Sequence, residues 1–486
     1  MTTTLADLFP PQSRRWARRV ISAEQWLGLA DRLESGAFTL VAHWAEPPLV
    51  HVALRDAAGS TGIFSVEAVD GRFPSLGGAS RPARRLERTI RDLTGLEPEG
   101  APDLRPWLDH GRDERGAARP YAFLPVDGEG LHQIAVGPVH AGIIEPGHFR
   151  FTAAGETIVR LEQRLGYVHK GLEGLMAGAP LERGARLAAR ACGDSTVAYS
   201  LAFAQAVEAA CGVVVPPRAV ALRAVMAEFE RLANHLGDIG GICNDAAFSL
   251  MLTHCAILRE RILRTCALLF GHRLMMDGVV PGGVSCDLAG AGEAALARLF
   301  KRIDNMLPAL FALYEDTASL QDRTVRTGIV LYSLAKEFGA GGPVGRASGR
   351  PFDARRDVPY APYDSMAFEV PVLERGDVDA RVRLRFREAE QSAALLRRLL
   401  AALPAGPLRA EVPAREGEGA ALVEGFRGDI FAWVRLAGDG RLAHAHLRDP
   451  SWFQWPLLEA AIEGAIVADF PLCNKSFNCA YAGHDL

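Results

Sequence analysis

Three stretches of this 486-residue sequence carry side chains whose types and spacing could do chemistry. The first is Cys192-Gly193-Asp194-Ser195, just ahead of a predicted helix in which Val197, Leu201, Ala204, Val207 and Cys211 recur near helical spacing, with Glu208 beside the stripe. Two thiolates three residues apart at a helix start can grip one soft metal. Here the second thiol is a hydroxyl. The second stretch is DFPLCNKSFNCAYAGHDL at the end of the sequence, where the five residues between Cys473 and Cys479 do not make a chelating spacing. The third, Gly137 to Arg150 (GPVHAGIIEPGHFR), is a Gly/Pro-punctuated loop dense in titratable groups: His140, Glu145, His148 and Arg150. Many loops of that composition only turn the chain, but loops are also where catalytic and binding side chains concentrate.

The composition narrows the chemistry further. A chain that is 49% hydrophobic and 23% charged is an ordinary folded protein, long enough for two or three domains. A net charge of −4 without basic runs gives no footprint for nucleic acid. No apolar run is long enough to span a bilayer, and the N-terminus lacks a signal-peptide layout, so the chain is expected to stay in the cytoplasm. Eight cysteines, at 192, 211, 243, 255, 266, 286, 473 and 479, include no Cys-x-x-Cys pair, which leaves zinc and iron–sulfur readings without support. Cys211, Cys255 and Cys266 read as small buried hydrophobes.

Elements able to position these stretches follow from periodicity. Ser22–Gln25 is a capping box opening a helix to about Glu34. Strand-like runs at 38–44, 49–54 and 62–69 and an amphipathic helix at 84–95 complete a small α/β domain, 1–125, with residues 109–120 as linker. The second domain, 126–486, is read as a bundle of long helices: one over 158–175 on a three-four alternation, then 218–236, 248–272, 292–318 and 386–403. Glu228, Glu230, Arg231 and His235 on the 218–236 helix suggest an internal ion-pair network. Residues 339–362, rich in Gly, Pro and Arg, are expected as an extended surface segment that grips a neighbouring subunit. A hairpin at 426–447 and a last helix at 457–466 precede the terminal stretch. The fold class is therefore α+β: a small α/β domain, then a long-helix bundle with a peripheral antiparallel hairpin.

These motifs resemble the large subunit of group-4 membrane-bound nickel–iron hydrogenases and its relative, the quinone-site 49-kDa-type subunit of respiratory complex I. The resemblance rests on the loop at 137–150, Tyr167–Gly171, ERLANHLGDIG at 230–240, DGVVPGGV at 277–284 and both ends of the cysteine pattern. ERTIRDLTGLEPEGAPDLRPW at 87–107 resembles the signature of complex I's 30-kDa-type subunit, which implies a docking domain fused at the front. In the hydrogenases four thiolates hold nickel and iron. The corresponding positions here are Cys192, Ser195, Ala480 and Gly483, so three of the four thiols are absent and no nickel–iron centre is expected. With Leu486 three residues beyond Gly483, no tail of the kind removed after nickel insertion is expected. The residue matching Glu145 relays protons in active enzymes, and the histidine-bearing loop meets a quinone in complex I. The resemblance thus makes His140, Glu145, His148 and Arg150 a candidate proton-relay or substrate-cleft loop. Tyr199 stands where active hydrogenases commonly have histidine, while Ala189 falls near complex I's quinone-anchoring tyrosine.

The resulting expectation is a nickel-free, hydrogenase-like subunit of a complex I-related oxidoreductase complex. Its vacated cleft would couple redox or proton chemistry to ion translocation. The alternatives are a quinone-site subunit of the NADH-quinone oxidoreductase type and a non-catalytic structural subunit. The implied partners are a small iron–sulfur subunit, which would carry the cluster this chain cannot bind, and antiporter-type and anchor subunits in the membrane. The implied place is the cytoplasmic face of the inner membrane, peripherally attached.

Overall fold

The computed structural model describes residues 4–9, 15–111, 120–140 and 144–486. Most of the expected linker, and residues 141–143 of the loop, lie outside them. Among the described residues no helix is long and apolar enough to cross a membrane.

The N-terminal part is a four-stranded sheet in the order β1 (Arg18–Val20), β4 (Thr61–Glu67), β3 (Leu49–Asp56), β2 (Phe38–Glu46), antiparallel except for β1 beside β4. Helix α1 (Ala23–Glu34) opens on the predicted capping box, with Ser22 and Gln25 each accepting the other's backbone N–H. Helix α2 (Arg81–Thr94) also packs on β2, and its buried Glu87 accepts the backbone N–H groups of Leu76 and Gly77 at 2.6 and 3.1 Å.

Residues 131–164 form a meander of β5 (Leu131–Val136), β6 (His148–Ala154) and β7 (Thr157–Arg164), followed by the short α3 (Leu172–Met176). This corrects the helix expected over 158–175. The three-four spacing of Ile158, Leu161 and Leu165 is present, but Gly155, at φ 58°, reverses the chain so that the β-branched Thr157 and Ile158 pair back on β6.

The helical core begins with α4 (Leu181–Ala188) and α5 (Thr196–Cys211). It continues with α6 (Pro217–Asp245), α7 (Ser249–Phe270), α8 (Glu293–Asp316) and α9 (Val378–Ala401). Pro217 starts α6 without losing a helical hydrogen bond, and Asp377 caps α9 by accepting the Ala380 N–H at 2.7 Å. At 29 residues α6 is about 43 Å long and runs through the core between α7 and α9. Glu228, Arg231 and His235 on it are buried against ionic partners rather than solvated, while the buried Glu230 accepts backbone N–H groups instead. Arg231 pairs with Glu388 at 2.7 Å, and Glu228 with Arg355 at 2.8 Å.

Arg355 belongs to the 339–362 stretch, and the expectation of an extended surface segment there fails. Arg346, Asp353 and Arg355 are fully buried, with Arg346 joining Glu388 and Glu424. Short helices at Gly342–Ala347 and Ala354–Asp357 carry them inward. Composition suggested a solvated loop because its arginines read as free charges. Their carboxylate partners lie on distant α6, α9 and the C-terminal sheet.

That sheet has three strands, not two: β8 (Gly417–Gly425), β9 (Gly428–Leu436) and β10 (Leu442–Arg448). The glycine- and alanine-rich run of β8 gave little strand signal because α5 lies directly on it. A side chain at Gly419 would meet the Ala206 carbonyl at 2.2 Å. The opposite face packs on the N-terminal sheet, where Trp44 stacks on His446 at 4.8 Å and lies against Phe431 and Trp433. The chain closes with α10 (Ser451–Ala461), six residues earlier than the periodicity placed it, then α11 (Phe470–Phe477) and a terminal turn, α12 (Ala482–Asp485). Pro456 is accommodated inside α10.

Candidate functional site

The four positions read from the sequence converge. Cys192 and Ser195 lie at the start of α5, and Asn478, Ala480 and Gly483 bring the end of the chain against them through Arg427, in the β8–β9 turn. Arg427 is the hub. Both terminal nitrogens donate to Asp194, at 2.7 and 2.6 Å, while Nη1 also reaches Ser195 Oγ at 3.2 Å and Cys192 Sγ at 3.7 Å. Its Nε donates to the Asn478 carbonyl at 2.5 Å. Asn478 takes the left-handed conformation, φ 50°, which asparagine tolerates better than most residues. From there its amide donates to Asp238, which also accepts from Arg385 at 2.9 Å. A buried polar chain therefore runs from Cys192 to α9.

The electrostatics follow from this wiring. Burial pushes the Asp194 carboxyl up, but the charge and hydrogen bonds of Arg427 outweigh it and hold it at about 2. Burial, reinforced by the Asp194 carboxylate, pushes the Cys192 thiol well up, so the neutral S–H donates to Asp194 Oδ1 at 2.9 Å. Burial likewise raises the Tyr199 hydroxyl, which donates to Asp449 at 2.6 Å. Glu230, buried on α6, caps α5 by accepting the N–H groups of Val197 and Ala198 at 2.7 and 3.0 Å; burial still pushes its carboxyl up to about 8.

These residues do not fit a nickel–iron centre. A soft metal needs thiolates, and the positions offer a neutral thiol, a hydroxyl, a methyl group and a glycine. The room is also taken. A side chain at Gly483 would meet Asp449 Oδ2 at 2.4 Å and Tyr199 Oη at 2.9 Å. Ala480 is 3% exposed and Ser195 2%. Cys473 and Cys479 are also buried: Arg381 lies near Cys473, and Cys479 faces Gln454, its Sγ 3.9 Å from Oε1.

The loop residues divide. Glu145 reaches the terminal turn, accepting the Ala482 N–H at 3.0 Å. On the other side of that turn, Lys170 donates to the carbonyls of Ala191 and Ala482. Burial lowers the Lys170 pKa. His148 and Arg150 contact the loop's own base: His148 Nδ1 lies 2.8 Å from the Gly137 carbonyl, and Arg150 donates to Gln133 and covers Phe123. His140 is half-buried beside Gly137. His169 bonds the Asp485 carbonyl through Nδ1 at 2.7 Å. Sequence reasoning missed Arg427, Asp449 and Glu230 as site residues. The first sits in a two-residue strand turn, where an arginine reads as solvated, and the second in Arg448-Asp449-Pro450, which reads as a helix entry.

The architecture is α+β, a helical bundle with a peripheral sheet, and an ion-paired polar cluster lies between the start of α5 and the end of the chain. Comparison with known proteins places the chain. Residues 245–416 match the family of the respiratory-chain NADH dehydrogenase 49 kDa subunit. The carbon monoxide-induced hydrogenase of Rhodospirillum rubrum is 31% identical over 350 residues, which are 71% of this chain and 97% of that protein. Formate hydrogenlyase subunit 5 of Escherichia coli is 31% identical over 448 residues, 86% of this chain and 78% of that one. That share is more than residues 126–486 alone could supply, so the likeness runs into the N-terminal domain. In a structure of the membrane-bound sulfane sulfur reductase, an archaeal respiratory membrane complex, one chain superposes with a TM-score of 0.70 at 27% identity, covering 75% of this chain and all of that one. The chain belongs to the family that joins the complex I 49-kDa subunit with the large subunits of the membrane-bound hydrogenases.

Proposed function

We propose that this chain is a nickel-free large subunit of a complex I-related respiratory complex, held at the membrane surface by partner subunits. An ion-paired centre stands where its hydrogenase relatives would carry metal. The observation that carries this reading is the Cys192–Asp194–Arg427 cluster together with the Tyr199–Asp449 bond against Gly483, which supplies no thiolate and leaves no room for one. Electrons would reach this region from an iron–sulfur cluster in a neighbouring small subunit. The ion-translocating partners would lie in the membrane, on the cytoplasmic side of which this chain would sit. Within the complex the chain's own contribution is positional and protonic: Glu145 and Lys170 flank the terminal turn over Cys192, and Arg427 fixes the charges beneath it.

The test is elemental analysis of the complex purified from nickel-supplemented cells, together with a hydrogen-evolution assay. The expected result is nickel far below one per chain and no hydrogen. Stoichiometric nickel would sink the proposal. Glu145→Gln separates a proton-handling role from a purely structural one: an intact complex with lost turnover supports the former, and unchanged turnover removes it.

A further inference from the structure

The second half of α7 and the first turns of α8 enclose a groove of about 310 Å³, well removed in sequence from the Cys192–Gly483 centre. Its walls carry two pairs of arginines. Arg261 and Arg264, three residues apart on α7, face Arg298 and Arg302, four apart on α8, so each pair projects from one side of its helix. Leu299, buried, contributes to the floor. Arg264 is matched by Glu260 at 2.9 Å, and that carboxylate also serves Arg273 at 2.6 Å. Among the described residues no carboxylate lies within ion-pairing distance of Arg261, Arg298 or Arg302.

Guanidinium groups brought together around one hollow repel each other unless an anion lies between them. The helices hold them there for reasons of their own, since Ile262, Leu269, Leu299 and Ile303 are buried in the core beneath. Forks on two opposing walls suit a tetrahedral group with oxygens pointing both ways. A planar carboxylate satisfies one fork at a time.

We propose that this groove binds a phosphate group, carried either by a soluble phosphate ester or by a phospholipid head group. The full-length protein is titrated at low salt with pyrophosphate by calorimetry and sedimented with vesicles of phosphatidylglycerol or of phosphatidylcholine. The double variant Arg261→Gln/Arg298→Gln removes the charge of two exposed side chains that pair with no carboxylate among the described residues; Arg302→Gln is the second variant, and the exposed Arg387→Gln on α9 is the charge-matched control. The expected result is a loss of about tenfold or more in affinity for pyrophosphate, or for phosphatidylglycerol vesicles, in the double variant. A smaller loss is expected in Arg302→Gln, and a change of about twofold or less in the control. Binding of pyrophosphate without vesicles assigns the soluble source, and the reverse assigns the head group. The proposal is overturned if neither probe binds, if Arg387→Gln loses as much as the double variant, or if hexaglutamate binds as tightly as pyrophosphate with the same dependence on Arg261 and Arg298. That last outcome would mark an acidic protein segment as the occupant.

Discussion

Gly483→Ala is the sharpest test of how the centre is closed. The added Cβ would lie 2.4 Å from Asp449 Oδ2 and 2.9 Å from Tyr199 Oη, well inside van der Waals contact, and residue 483 is not in a left-handed conformation, so the cost is steric rather than backbone strain. Neither neighbour can retreat. Asp449 is tied to the Ser451 N–H at 2.8 Å, and Tyr199 lies in the first turn of α5, fully buried. Relief therefore means breaking the 2.6 Å Tyr199–Asp449 bond, worth about 1.5–3 kcal/mol for a buried charged acceptor, on top of overpacking of about 1–3 kcal/mol. A destabilisation of about 3–5 kcal/mol is expected from the shift in the urea unfolding midpoint. In a Tyr199→Phe background the bond and one clash are already gone, so the same substitution should cost about 1–2 kcal/mol less. Gly483→Cys should suffer at least as much and recover no nickel. A Gly483→Ala protein within about 0.5 kcal/mol of the parent, with no coupling to Tyr199, would show that the space at 483 is open and refute the steric reasoning.

Three further outcomes follow from the same geometry. Arg427→Met leaves Asp194 without its counter-ion and should cost about 3 kcal/mol by denaturant unfolding, the low end for a broken pair because the Asp194 side chain keeps 33% exposure. Because the Asp194 carboxyl is held below its ordinary 3.8, at about 2, its contribution is present above that range and is lost as pH falls from 3.8 towards 2; thermal scans should show this acid step in the parent and not in Arg427→Met. Glu230 has the opposite sign. With its carboxyl raised from 4.5 to about 8, the parent should lose stability relative to Glu230→Gln as pH rises from 4.5 to 8, and parallel melting profiles over that window would contradict it. Iodoacetamide should modify the half-buried Cys286 before Cys192, whose thiol is buried and held protonated; peptide mapping that finds Cys192 labelled first in native protein would contradict the Cys192–Asp194 contact.

Much of this centre was legible because it is local. The Cys192–Ser195 turn, the helix behind it and the terminal stretch are short motifs in which one changed atom type, sulfur to oxygen at 195, already decides what can bind. The long helices were legible for a similar reason: Leu222, Met226, Phe229, Leu232 and Leu236 repeat often enough to override local noise. What failed was non-local. Thr157–Arg164 satisfied a helical period by coincidence and became a strand because β6 lay beside it. Arg346 and Arg355 looked solvated until carboxylates from α6, α9 and β8 met them. Arg427 carries no signal of its own, since its importance comes from Asp194, 233 residues earlier in the chain.

On the reading proposed above, in which thiolates are replaced at this centre, the replacement is more than a subtraction. Three lost sulfurs alone would leave a polar hole around Cys192, and a buried unpaired thiol, carboxylate or guanidinium costs stability. Instead each group left behind has a partner supplied from a different element: Asp194 has Arg427, Asp449 has Tyr199, and Asp238 has both Asn478 and Arg385. Restoring a single cysteine would break one of these contacts without creating a ligand set. The Asp449 carboxylate lies two hydrogen bonds from the terminal turn, through Tyr199 Oη to the Gly483 carbonyl at 3.4 Å, and Glu145 and Lys170 hold that turn from outside.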